Sequence, residues 1–258
     1  MDPRSKSVSV VVPTRNEAEN IAKLVTEILA NGDVIRQIVF VDGASTDGTR
    51  AVIDSIAGAV PIRFIEQERD KPGLAAAIMA GARAADGEFL LVMDADLSHP
   101  PQGIINLLGP LFADTADMVI GSRYVDGGST PDWPLWRRSL SRAGAAIAYP
   151  LTHVHDSMSG FFGIRRSRLL DLAPPAVGFK IVFEAIIRGG AALRVREVPI
   201  VFRDRVRGRS KMSFGIALRF FIRWSIGLSR YVAQRLVGHR EDRQVQAADN
   251  TDRGHANQ

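Results

Sequence analysis

Apolar runs of strand length and amphipathic stretches of helical length alternate through the N-terminal part of the chain. A run at 8–12 precedes a stretch at 17–29 whose apolar positions recur at helical spacing, and the alternation continues with a strand at 37–41 and a helix at about 46–56. A strand at 61–65, a helix at 73–85 and a strand at 89–93 follow. Strand and helix repeating in this order predict a parallel sheet with right-handed crossovers, and hence an α/β fold. The run at 89–93 is unbroken rather than alternating, which predicts a strand covered on both faces. Small residues at Ala75, Ala76, Ala77, Ala80 and Gly81 predict a helix that lies close on the sheet.

Beyond Pro101 the pattern gives a helix to about residue 112, a strand at 117–121, and a loop at 126–136 rich in Gly, Ser, Pro and Trp. A helix at 137–149, a short strand at 161–164, a helix at 179–188 and a late strand at 195–202 complete it. The stretch 214–238 is long and apolar but carries Arg219, Arg223, Arg230 and Arg235. Each arginine at a bilayer centre costs about 2.5 to 3.5 kcal/mol, so a membrane span is not expected. Arg219, Arg223 and Arg230 fall within about 40° of one another on a helix, making a basic stripe beside Trp224 and Tyr231 that suits the headgroup plane of a membrane. The expected organisation is one catalytic domain at 1–212, an amphipathic helical segment at 213–239, and a polar disordered tail at 240–258.

Composition narrows the chemistry. The 258 residues contain no cysteine, which excludes disulfides, thiolate nucleophiles and Cys-ligated zinc. Lys plus Arg number 33 against 28 Asp plus Glu, a net charge of +5 that favours anionic partners. The excess lies from Arg137 onward and is mainly arginine, the side chain that meets phosphate oxygens in a bidentate fork. A polar start and an apolar run too short for a signal peptide predict a location on the cytoplasmic side.

The strand at 89–93 ends in Asp94-Ala95-Asp96-Leu97-Ser98-His99-Pro100. Carboxyl ends of strands are where open α/β sheets place ligands, and residues i and i+2 of a strand point the same way. Asp94 and Asp96 therefore suit one hard divalent cation; a turn or helix cap is the other reading of the same residues. The two earlier strands also end in polar runs, Pro13-Thr14-Arg15-Asn16-Glu17 and Asp42-Gly43-Ala44-Ser45-Thr46-Asp47-Gly48-Thr49. Asn16 and Glu17 suit a nucleotide base or ribose, whereas Asp47 and Thr49 read as caps of the next helix. No GxGxxG or GxxxxGK[ST] occurs, so neither a dinucleotide fold nor a P-loop is indicated. Late in the chain Arg203, Arg205, Arg207, Arg209 and Lys211 alternate with other residues, a one-sided row of cations in an extended loop that reads as a flap over phosphate groups.

In order and spacing these motifs resemble the inverting, family 2 glycosyltransferases of GT-A fold, specifically the dolichyl-phosphate and polyprenyl-phosphate mannose synthases. The resemblance also draws on Lys71-Pro72-Gly73-Leu74, Gly121-Ser122-Arg123-Tyr124, Arg137 to Arg142, Ser159-Gly160-Phe161, Glu197-Val198-Pro199-Ile200 and Ser210-Lys211, and it spans about residues 8–211. It implies a Rossmann-like, mostly parallel sheet flanked by helices, with a C-terminal helix at the membrane interface. It implies that Pro13, Arg15, Glu17, Val41 and Asp42 frame the guanine nucleotide. Asp94, Ala95 and Asp96 would form the metal and pyrophosphate station, with Mg2+ or Mn2+ as cofactor and Ser98 as a weaker ligand. Arg123, Arg205 and Lys211 would surround the donor and acceptor phosphates, and Arg137 with Ser141 would grip the lipid phosphate.

The implied reaction moves mannose from GDP-mannose to a polyprenyl phosphate, on the cytoplasmic face of a membrane, with the protein bound peripherally. The acceptor phosphate is ionised near neutral pH and needs no general base. Asp156 and Glu184 accordingly read as structural or orienting residues. Asp42-Gly43 stands where many relatives have two aspartates, and Leu74-Ala75-Ala76 lacks a second glycine, so a UDP-sugar donor stays open. A sugar nucleotidyltransferase does not match at Pro13 to Glu17, and a basic, non-enzymatic membrane-binding module is the remaining alternative.

Overall fold

The computed structural model describes residues 6–56, 61–67, 73–172 and 181–204. Lys71, Pro72, Arg205, Lys211, the segment 213–239 and the tail 240–258 lie outside the described residues.

Among the described residues, seven strands form one sheet in the order β3-β2-β1-β4-β6-β5-β7. They are β1 (Val8–Thr14), β2 (Ile35–Asp42), β3 (Ile62–Glu66), β4 (Phe89–Val92), β5 (Met118–Ser122), β6 (Phe162–Arg165) and β7 (Val195–Pro199). The first four are parallel, as the alternation of apolar runs and amphipathic stretches predicts. Helices α1 (Ala18–Leu29), α2 (Thr49–Ser55), α3 (Leu74–Ala84), α4 (Ile104–Phe112), α5 (Leu135–Thr152), α6 (Arg166–Leu172) and α7 (Ile181–Gly189) connect them.

The core lies on both faces of the sheet. Along β1 the side chains alternate: Val10 and Val12 pack with α1 and α4 residues such as Ile21, Leu24 and Leu107. Val11, between them, packs on the other face with Ala77 and Ile78 of α3. A β-carbon on Gly81 would lie 2.4 Å from Val11 Cγ1, so glycine lets α3 sit against β1.

The sequence reading differs from the structure at several points, and α6 (Arg166–Leu172) is absent from it altogether. The helix expected from 46 begins at Thr49, because Asp47 and Gly48 (φ +90°) form its entry. The late strand ends at Pro199, and Val201 bridges alone to Ser129. The sheet is mostly parallel, as expected, and its topology supplies a point the sequence reading left open. β6 inserts between β4 and β5 and runs antiparallel to both. After β5 the chain passes through α5 and returns to the sheet from the end it left. Phe162, the first residue of β6, is paired with Val92 and Ile120, at the carboxyl ends of β4 and β5. The loop before β6 is thereby delivered to the end of β4, where Asp94 and Asp96 follow.

Candidate active site

Three parallel strands, β1, β2 and β4, release their loops at one end of the sheet, and each loop holds a non-glycine residue at positive φ: Asn16 (58°), Ala44 (62°) and Leu97 (61°). Such a conformation costs about 1 to 3 kcal/mol and persists where the surroundings enforce it. Here hydrogen bonds enforce it.

The β1 and β2 loops are stitched together. Asp42 Oδ1 accepts from Thr14 Oγ1 (3.1 Å), while its Oδ2 accepts from the Ser45 backbone N–H (2.8 Å). The Asn16 N–H donates to Ser45 Oγ and its Oδ1 accepts from the Thr46 N–H, both at 2.8 Å. Asp47 accepts from the N–H of Ala18 and of Thr49 (3.0 Å each), the first residues of α1 and α2. Burial opposes ionisation of Asp47, but the bonds from Thr49 and Ala18 prevail and hold its carboxyl below the usual range. The expected cap at Asp47 is present and serves both helices. Asn16, expected to meet base or ribose, has its side-chain carbonyl oxygen on the Thr46 N–H. Glu17 Oε2 accepts from Asn20 Nδ2 at 2.8 Å, and the buried Asp42 sits beneath the loop. Arg15 is exposed, Pro13 half-buried and Val41 buried in the strand.

The turn reading of the aspartate pair is met at Asp96. Asp96 is 5% exposed, and its Oδ1 accepts from the Ser98 N–H (3.0 Å) and the Ser98 hydroxyl (2.5 Å), closing an Asx-turn. That turn seats Leu97 at positive φ. The Ser98 hydroxyl proton is thus committed to Asp96, which leaves only its oxygen lone pairs for a cation. Asp94 presents a side chain that is 41% exposed. Opposite it lies Gly160, where a β-carbon would stand 3.5 Å from Asp94 Oδ1. Two hard carboxylates, one buried in a turn and one partly exposed beside Gly160, are of the chemistry that suits a divalent cation. Among the described residues no group of three or more His, Cys, Asp or Glu converges.

Sequence reasoning gave His99 no role. Its buried ring accepts the Asp94 backbone N–H at Nδ1 (3.0 Å) and stacks on Phe161, with centroids 5.1 Å apart. Burial pushes its pKa below the ordinary value, although Asp94 and Asp96 oppose the shift. A histidine inside a Ser-His-Pro turn carries no local signal of this placement.

The second half of the site is built from arginines. Arg123, directly after β5, donates through Nε and Nη2 to the two oxygens of Asp156 (2.8 Å each), and its backbone N–H adds a third bond. Asp156 is fully buried. Burial disfavours the Arg123 charge, but the Asp156 carboxylate outweighs it and raises the guanidinium pKa. Arg123, expected beside substrate phosphates, therefore has its charge answered inside the protein. Asp156 is held in turn by Glu197 on β7, whose carboxylate accepts the N–H groups of His155 (2.8 Å) and Asp156 (2.9 Å).

Arg137, on the first turn of α5, lies 4.0 Å from the Trp133 ring centroid and donates to the half-exposed Asp204 at 3.2 Å. Ser141, one turn further along, accepts the Tyr124 hydroxyl proton at 2.5 Å, which leaves the serine's own proton for another acceptor. Burial raises the Tyr124 pKa, against the effect of Arg123. The segment after β7 spans both halves: the Arg203 N–H donates to Ser98 O (3.2 Å), and the Phe202 N–H to Ser129 O (2.9 Å). The basic row begins there, with Arg205 and Lys211 outside the described residues.

Residues 9–172 match the model of the family described as glycosyl transferase family 2. The dolichol-phosphate mannosyltransferase of Pyrococcus furiosus is 34% identical over 242 residues, covering 90% of this chain and 68% of the relative. The protein of that name from Saccharomyces cerevisiae is 34% identical, covering 82% and 83% of the two chains. Polyprenol monophosphomannose synthase of Mycolicibacterium smegmatis is 37% identical, covering 79% and 80%. Among solved structures, glucosyl-3-phosphoglycerate synthase of Mycobacterium tuberculosis, crystallised with Mn2+, UDP and glucosyl-3-phosphoglycerate, superposes with a TM-score of 0.67. It is 22% identical, with 87% of this chain and 80% of that chain covered, a likeness of fold alone.

Proposed function

This chain belongs to glycosyl transferase family 2 and is a glycosyltransferase, and we propose that it moves mannose from GDP-mannose to a polyprenyl phosphate with inversion at the anomeric carbon. The observation that carries the reading is the joining of two opposite chemistries at one end of the sheet. The carboxylate pair after β4 is tied through Ser98 and Arg203 to the segment whose Asp204 meets Arg137. The names of relatives covering most of the chain support the same substrates.

In this mechanism an acceptor phosphate oxygen attacks C1 of the sugar, and the bond from C1 to the diphosphate oxygen breaks, its electron pair leaving with GDP. The nucleophile is already ionised near pH 7, so no residue removes a proton. Asp94 and Asp96 would hold Mg2+ or Mn2+, which when bound neutralises charge gathering on the departing diphosphate. Ser98 orients Asp96. Pro13, Arg15, Glu17, Val41 and Asp42 frame the nucleotide side. Arg137 and Ser141, on one face of α5, receive the acceptor phosphate, and the resemblance alone adds Arg205 and Lys211, outside the described residues, as further phosphate ligands. Arg123, spent on Asp156, holds the acceptor loop in place. Bringing two anions together is the main task of such a site.

Residues 1–212 form the catalytic domain in this reading, 213–239 bind the cytoplasmic membrane surface peripherally, and 240–258 are a polar tail. No helix among the described residues is long and apolar enough to cross a membrane. The test is incubation with labelled GDP-mannose, UDP-glucose and other nucleotide sugars, polyprenyl phosphate and Mg2+ or Mn2+, followed by lipid extraction. Label from GDP-mannose in the lipid is the expected result; label from UDP-glucose alone changes the donor, and no labelled lipid with any donor removes the proposal.

A further inference from the structure

His99 occupies an unusual position for a residue to which the reaction gives no task. Its ring is 2% exposed and clamped by aromatic neighbours: Phe161 stacks on it at 13°, and Phe202 meets it edge-on with centroids 5.3 Å apart. The clamp fixes the ring plane, and the plane fixes what each nitrogen faces. Nδ1 accepts the Asp94 backbone N–H, which assigns the proton of the uncharged ring to Nε2. Nε2 then lies 3.9 Å from Asp94 Oδ2. That separation is too long for a hydrogen bond, yet a small rotation of the Asp94 carboxylate closes it, and contacts of this kind tighten when a site is filled. Gly160 lies beside the same pair: a β-carbon there would be 3.4 Å from His99 Cε1 and 3.5 Å from Asp94 Oδ1.

We propose that His99 is a positioning residue for the cation station: Nδ1 holds the backbone of Asp94 and Nε2–H steers the Asp94 carboxylate into one orientation. The inference rests on the reading of Asp94 as a cation ligand. Ligating carboxylates are commonly held by a second hydrogen-bonding group, and loss of that group costs about 10- to 100-fold in metal affinity. Ser98 performs this service for Asp96 through its own turn. Asp94 receives it from a ring held by Phe161 and by Phe202, residues brought in by the antiparallel strand and by the segment after β7. The orientation of Asp94 thus depends on the acceptor half being in place.

The full-length protein is titrated with Mn2+ in the presence of GDP, with bound ion read by electron paramagnetic resonance and folding read by thermal melting. His99→Asn keeps an acceptor near the Nδ1 position and removes the donor at Nε2, whereas His99→Gln retains a donor near Nε2. The expected result is a melting curve close to wild type for His99→Asn, with the Mn2+ dissociation constant raised about 10- to 100-fold and partly restored in His99→Gln. The KM for nucleotide sugar rises with it, while the KM for polyprenyl phosphate stays put. Wild-type Mn2+ affinity in a folded His99→Asn protein overturns the proposal. So does a fall in melting temperature with both KM values rising together, which marks a merely structural ring. Asp94→Asn is the benchmark that separates this failure from that of the underlying reading: if it too binds Mn2+ like wild type, Asp94 is not a ligand and the cation station itself is misassigned.

Discussion

The two halves of the site restrain charged side chains in opposite ways. On the β1, β2 and β4 side, Asp42, Asp47 and Asp96 are satisfied by backbone N–H groups and hydroxyls. Those donors fix the orientation of the carboxylates. In the half contributed by α5, the loop before β6 and β7, arginines meet carboxylates and aromatic rings. Arg123 is locked to the buried Asp156, and Arg137 is laid on Trp133 beside the half-exposed Asp204. An N–H or hydroxyl that orients a carboxylate brings no counter-charge of its own, whereas an arginine paired with a buried carboxylate has no net charge to offer a substrate. Two arginines in one motif series therefore take different work.

The contrast is tested most severely at Asp96. Asp96→Asn keeps an oxygen for the Ser98 turn and removes the charge, so turnover should fall about a thousandfold, roughly 4 kcal/mol of transition-state stabilisation, while circular dichroism and melting stay near wild type. Unchanged turnover would show that the charge itself is idle.

Asp156→Asn tests the other half. It leaves the Arg123 guanidinium buried without its counter-charge, which costs about 3 to 5 kcal/mol. Urea unfolding should report that loss, with folded variant still showing metal affinity near wild type. A wild-type unfolding midpoint would mean that Arg123 does not depend on Asp156.

The smallest effect belongs to Asp47→Asn, about 0.3 to 1 kcal/mol, because asparagine still caps and only the negative charge near two helix N-termini is lost. The carboxyl pKa is lowered in the folded protein. Its contribution is therefore complete above the unfolded carboxylate value of about 4 and fades as pH falls through the lower folded value. Wild type and variant should differ in melting temperature at pH 7 and converge toward pH 3; a gap independent of pH would assign the effect to packing.

Much of this was legible in residue order. The four parallel strands follow from apolar runs spaced by amphipathic helices, and the Asp47 cap follows from its place two residues before Thr49. Asp94 and Asp96 announce themselves because spacing along one strand end is a local property. Arg123 and Asp156 are 33 residues apart and Arg137 and Asp204 are 67 apart. No periodicity links such positions, so an arginine's partner cannot be read from its own neighbourhood. His99 was hidden for the same reason, since its clamp comes from Phe161 and Phe202.

By itself, then, the sequence determined the strand-helix order, the two-faced core and the placement of carboxylates at strand ends, because hydrophobic periodicity and turn chemistry act over a few residues. Tertiary structure decided that β6 runs antiparallel between β4 and β5. That single reversal returns the chain to the carboxyl end of the sheet, where Gly160 and Phe161 meet Asp94 and His99. Which charges stay available to a substrate was settled there as well, because burial and pairing depend on what the rest of the fold brings alongside.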